Sequence, residues 1–206
     1  KNYSFLIDLD SVYININKIK IMKNLKSNKI VGLYNRTEET IESYSKEKVK
    51  KDLEFLLENK LKNVKWFGGE FISGKPSFFK FMWKNCRKIE KKYFKSRNIF
   101  FHNGDEMLTN PILNKKKIKY FDVGKKKIIY RYWNNATNHK QKTFDEIKKY
   151  VFLHLPADKK LLSQIPFKYM HDKDFLVYYE KLSQNLLKKI FLFLKKIARK
   201  IIKILI

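Results

Sequence analysis

The chain has 206 residues, 44% hydrophobic and 16% aromatic, enough for one good-sized core and too apolar for a disordered composition. Its formal net charge of +27 points to an anionic partner such as nucleic acid, a membrane surface or a phosphorylated substrate, although only five of its 47 basic residues are arginine. A single cysteine, Cys86, excludes an intramolecular disulfide framework and a Cys-based zinc site and suits a reducing compartment.

Residues 3 to 8 are apolar on both faces up to Asp8, which predicts a strand buried on both sides, as in parallel sheets. Asp8 and Asp10 stand two apart, so an extended backbone projects both carboxylates to one side, where they repel unless a cation sits between them. A strand ending in a polar turn is the plainer account of the same pattern. In open α/β sheets, ligands bind just beyond such strand ends. Residues 29 to 34 predict a second strand, and residues 37 to 62, with leucines at 53, 56, 57 and 61, have helical spacing. Residues 66 to 79 read as strand, turn and helix start, with Gly74 at the turn and Pro76 and Ser77 suited to a first helical turn.

From there Phe78, Phe79, Met82, Cys86, Ile89 and Tyr93 recur at three- and four-residue steps, predicting one buried helix face. Trp66, Phe78, Phe79, Trp83 and Trp133 are expected in the core. Residues 102 to 113 read as a loop feeding a short helix that Pro111 bounds or bends. Two strand-like stretches, 118 to 123 and 127 to 133, are joined around Gly124, and a third, 150 to 154, ends at His154. No uncharged run reaches the 18 or so residues that span a bilayer. From Asp174 to Ile206 the sequence predicts one long helix. Its last part carries Lys188, Lys189, Lys195, Lys196, Arg199, Lys200 and Lys203 opposite Phe191, Leu194, Ile197, Ile201 and Leu205, with no acidic residue. Such a basic amphipathic helix can lie in an anionic membrane interface, or pack on its own domain.

Asp8 and Asp10, Asp105 and Glu106, and His154 all fall at expected strand ends or in polar loops. Carboxylates with one imidazole suit a hard or borderline divalent ion, Mn²⁺ or Mg²⁺, which neutralises a diphosphate leaving group. Lys159 and Lys160 follow as point charges for phosphate. Asp105 also suits a plain helix cap.

Four stretches, IDLDSV, WFGGEFISG, HNGDEM and HLPADKK, spanning residues 5 to 160, resemble in that order the motifs of nucleotide-sugar glycosyltransferases of the GT-A fold, especially bacterial surface-polysaccharide and galactosyltransferase-like enzymes. The resemblance implies an α/β fold with a mostly parallel mixed sheet flanked by helices, a catalytic region over 1–173 and the basic helix over 174–206. It implies that Asp8, Asp10 and His154 hold the metal, with Asp8 also near the ribose. Gly69, Glu70, Asn103 and Gly104 would border sugar or acceptor, Asp105 and Glu106 would bind the transferred sugar or act as general base, and Lys159 or Lys160 would meet the diphosphate.

The partners it implies are a nucleotide-sugar donor such as a UDP-sugar, a saccharide or lipid-linked acceptor, and the inner face of a bacterial plasma membrane. Nucleic acid is not expected. The resemblance also implies a nucleotide-binding half ahead of the D-x-D motif, which is expected to be missing from this sequence. The alternatives are a Mg²⁺-dependent nucleic-acid enzyme or binding protein, and a non-catalytic membrane-binding module.

Overall fold

The computed structural model describes residues 3–9, 11–14, 23, 30–116, 118–133, 141–157, 159–165, 173–183 and 194. In chain order the elements are β1 (Ser4–Ile7), β2 (Ser11–Tyr13), β3 (Val31–Asn35), α1 (Thr37–Tyr44), α2 (Lys46–Leu57), β4 (Phe67–Gly74), α3 (Pro76–Ser96), a 3₁₀ turn (Arg97–Ile99), α4 (Glu106–Lys116), β5 (Tyr120–Asp122), β6 (Ile129–Arg131), α5 (Phe144–Ile147), β7 (Phe152–His154), α6 (Lys159–Leu162) and α7 (Lys173–Ser183). The fold is α/β with two mixed sheets, ordered β1-β4-β3-β5 and β2-β7-β6.

The sheets are not mostly parallel. β3–β5 and β6–β7 run parallel, whereas β1–β4, β3–β4 and β2–β7 are antiparallel. Nor is the first strand buried on both sides. β1 is an edge strand whose first three residues are exposed, because β4 covers it on one flank only. An apolar run alone cannot say how many neighbours a strand has.

Two short corners join the sheets. The Ser11 N–H donates to the Asp8 carbonyl at 3.0 Å, turning the chain from β1 in one sheet to β2 in the other. The Ile128 N–H donates to the Val123 carbonyl at 2.8 Å and does the same around Gly124 between β5 and β6. Tyr34, Phe71, Val123, Ile128 and Ile129 form a small core at this seam. On one side Leu33, Leu53, Trp66, Met107 and their neighbours pack α2, α3 and α4 on the first sheet. On the other, Leu153, Ile147, Phe175 and Tyr179 pack α5 and α7 on the second.

The helix expected over 37–62 breaks at Ser45, whose φ of 67° interrupts it and whose hydroxyl accepts from the Lys48 N–H to start α2. α3 starts at Pro76 and buries Met82, Ile89 and Tyr93. Trp83 is not core. It sits about 100° round the helix from Met82 and is 68% exposed. Pro111 does not end α4, which runs on to Lys116.

The boundary expected at 174 falls at the start of α7, where Phe175, Leu176 and Tyr179 are buried in the second core. The basic stripe predicted beyond it lies outside the described residues. Among the described residues, no helix is long and apolar enough to cross a membrane.

Candidate functional site

The site grows from an irregularity in β4. Leu33 pairs with Ile72 but Tyr34 with Gly68, so residues 69–71 bulge out of the β3–β4 ladder. The bulge is clamped from α4. The Asn110 side chain accepts from the Phe67 N–H at 2.7 Å and donates to the Phe67 carbonyl at 2.9 Å.

Glu70 is turned inward, 1% exposed, between two arginines. Arg131 donates to its Oε1, and an Arg36 guanidinium nitrogen lies 3.5 Å from the same atom. Burial alone pushes the Glu70 carboxyl up, but Arg36, Arg131 and His154 outweigh it and hold it below the ordinary carboxylate range.

Gly68 is required beside it. A Cβ there would fall 1.7 Å from Glu70 Oε2 and 2.8 Å from Arg36 Cδ, and the ion pairs stop the carboxylate from swinging aside. Gly68→Ala is expected to cost about 1–3 kcal/mol, read as a lower denaturant midpoint. An unchanged midpoint would show that Glu70 moves freely.

Glu106 opens α4 and is 8% exposed. Its oxygens accept from Trp66 Nε1 at 2.8 Å and from the Gly69 N–H at 3.0 Å, with Arg36 at 3.7 Å. His102 Nε2 lies 3.6 Å from Glu106. Burial pushes the His102 imidazole below its ordinary 6.5, and Glu106 only partly reverses this. A base whose folded value is depressed stabilises the fold above its unfolded value and loses that contribution as pH falls. Glu70 has the same sign from a lower starting point. Tm is therefore expected to fall progressively once the pH drops below 6.5. A flat Tm from pH 7 to the carboxylate range would contradict the His102 environment.

Asp8, half-exposed at the corner after β1, places Oδ2 3.3 Å from Nε2 of buried His154 at the end of β7. His154 Nδ1 faces Glu70 Oε1 at 3.7 Å. Ligands of one divalent ion lie roughly 3 to 4.5 Å apart, and a ligating histidine commonly presents its other nitrogen to a carboxylate. The Asp8–His154 spacing fits two ligands of one ion, and Glu70 stands behind the histidine at ion-pair distance, beyond a hydrogen bond. Among the described residues, no group of three or more His, Cys, Asp or Glu side chains is arranged as a complete ligand set. Asp10, the expected third ligand, lies outside the described residues.

A cleft of about 960 Å³ opens over this pair, lined among others by Asp8, Gly104, Asp105, Glu106, Arg131 and Lys159. Six of the expected residues therefore meet there: Asp8, His154, Gly104, Asp105, Glu106 and Lys159. Glu70 does not border the cleft as expected. It lies beneath it, turned inward by the bulge in β4 and paired there with Arg36 and Arg131. Gly69 contributes its N–H to Glu106 and is not a lining residue. Asn103 is exposed, its carbonyl accepting from the Tyr93 hydroxyl at 2.5 Å, and Lys160 is exposed outside the cleft wall.

Sequence reasoning missed Arg36, Arg131 and His102. The available signal was scarcity: two of the chain's five arginines meet at one glutamate.

Comparison with protein-family models, with curated proteins and with solved structures gave no match.

Proposed function

We propose that this chain carries the metal- and sugar-handling part of a GT-A-type glycosyltransferase, moving a sugar from a nucleotide-sugar donor to a saccharide or lipid-linked acceptor. The observation that supports this reading is the meeting of Asp8 and His154 at 3.3 Å, from opposite ends of the motif-bearing stretch, at the floor of a cleft walled by Asp105 and Glu106.

Asp8 and His154, with Asp10, would hold Mn²⁺ or Mg²⁺. When bound, such an ion supplies charge neutralisation for the diphosphate that leaves. Lys159, exposed on the cleft lining, adds positive charge for the same phosphates. Glu106, held by the Trp66 and Gly69 N–H groups beside Arg36, would receive the hydroxyls of the transferred sugar. Asp105, exposed on the cleft lining, would take the proton from the attacking acceptor hydroxyl in this reading. In the transfer the anomeric carbon–phosphate oxygen bond breaks, the acceptor oxygen bonds to that carbon, and the electron pair leaves with the nucleoside diphosphate.

The reading is tested by incubating the chain with Mn²⁺, a panel of UDP-sugars and saccharide or lipid-linked acceptors and measuring UDP release. Metal-dependent release with one donor, abolished by EDTA and by Asp105→Asn, is the expected result. Lys159→Ala is expected to raise donor KM about tenfold, the worth of one charge-assisted contact, with kcat much less affected. Unchanged KM would remove Lys159 from the diphosphate.

A further inference from the structure

We infer that the outer face of α3 is a docking surface for an anionic membrane. Buried Met82, Ile89 and Tyr93 fix the inner side of this helix. Its exposed residues include Lys80, Lys84, Arg87, Lys88, Lys91 and Lys95, and none is acidic. Glu90 is half-buried and neutralised by Arg87 at 2.9 Å.

Two large rings stand among these charges. Trp83 is 68% and Phe94 55% exposed, and Ile99, just past the helix end, is 63% exposed. Eleven residues make just over three full turns, so Trp83 and Phe94 share nearly one bearing about 16 Å apart. The Arg87 guanidinium lies 5.6 Å from the Trp83 ring centroid.

A solvated helix face accounts for the lysines. It does not account for an exposed tryptophan among them. Single exposed apolar residues are ordinary, but two rings aligned in a basic field are not scattered. Lysine stems with ammonium tips and interfacial tryptophan suit a headgroup layer, whereas a surface reading nucleic acid favours arginine. α3 carries one exposed arginine, Arg87, among its lysines.

The surface also has a place relative to the cleft. The Tyr93 hydroxyl donates to the carbonyls of Asn103 at 2.5 Å and Gly104 at 3.2 Å, so the loop bearing Gly104 and Asp105 packs against the inner side of α3, away from this basic face. The inference rests on charge and exposure and stands independently of the sugar-transfer reading.

The test uses the full chain with vesicles of phosphatidylcholine containing phosphatidylglycerol, and with phosphatidylcholine alone. The expected result is sedimentation with the anionic vesicles only, accompanied by a shift of tryptophan emission to shorter wavelength that Trp83→Phe removes. The triple variant Lys84→Glu, Arg87→Glu, Lys91→Glu is expected to weaken binding at least about tenfold. Its folding is checked by an unchanged thermal transition, and Trp83→Phe supplies a second reading should it fail to fold. Binding without a Trp83-dependent shift would overturn the proposal. So would a folded triple variant that binds as tightly as the parent. Loss of an oligonucleotide complex in that variant, with vesicles ignored by the parent chain, would reassign the face to nucleic acid.

Discussion

Glu70→Gln is expected to cost about 3–5 kcal/mol of stability, because it leaves two mostly buried arginines facing a neutral amide. Arg36 keeps Glu39 and Glu106 within reach, but Arg131 is paired with Glu70 itself. At roughly 2–4 °C per kcal/mol for a chain of this length, Tm should fall by on the order of 10 °C. Glu39→Gln is the control. Its side chain is 41% exposed, and pairs of that kind contribute about 0–1 kcal/mol. Comparable losses in the two variants would mean that Glu70 is not the buried anchor of the bulge. The carboxylate also faces His154, so this variant should loosen the candidate metal site, by about 10–100-fold as is usual for a carboxylate behind a ligating histidine.

Asp8→Asn separates function from folding. Asp8 is half-exposed at a corner whose turn is made by its backbone carbonyl, which asparagine retains. Stability should therefore change little. Transfer should fall about 10²–10³-fold in kcat, corresponding to several kcal/mol of charge stabilisation lost with the ion. A variant that transfers at the parental rate would remove Asp8 from the chemistry whatever its distance from His154.

Periodicity was informative where an element's own residues decide its structure. The stretch from Trp66 to Tyr93 could be read as strand, glycine turn and one-faced helix because each step is local. The edge position of β1 depends instead on which strands flank it, and the break at Ser45 on a single left-handed residue inside helical composition. At the site, Asp8, Asp105 and His154 could be nominated because each ends a strand or sits in a polar loop. The layer beneath them could not be found this way. Glu70, Arg36 and Arg131 sit on or beside three different strands, each unremarkable until the bulge at residues 69–71 turns Glu70 inward. Trp83 misled for a related reason: aromatic content predicts burial on average, and only the bearing round α3 shows it facing outward.

The central claim is that Asp8 and His154 hold one divalent ion, and Mn²⁺ binding measured by the loss of the free-ion electron paramagnetic resonance signal tests it most directly. The account predicts one saturable site per chain in the parent protein. It also predicts affinity weakened at least about 30-fold in both Asp8→Asn and His154→Ala, more than for an outer carboxylate alone on average. Parent and variants that retain Mn²⁺ equally, or a parent that leaves the free signal unchanged, would contradict it.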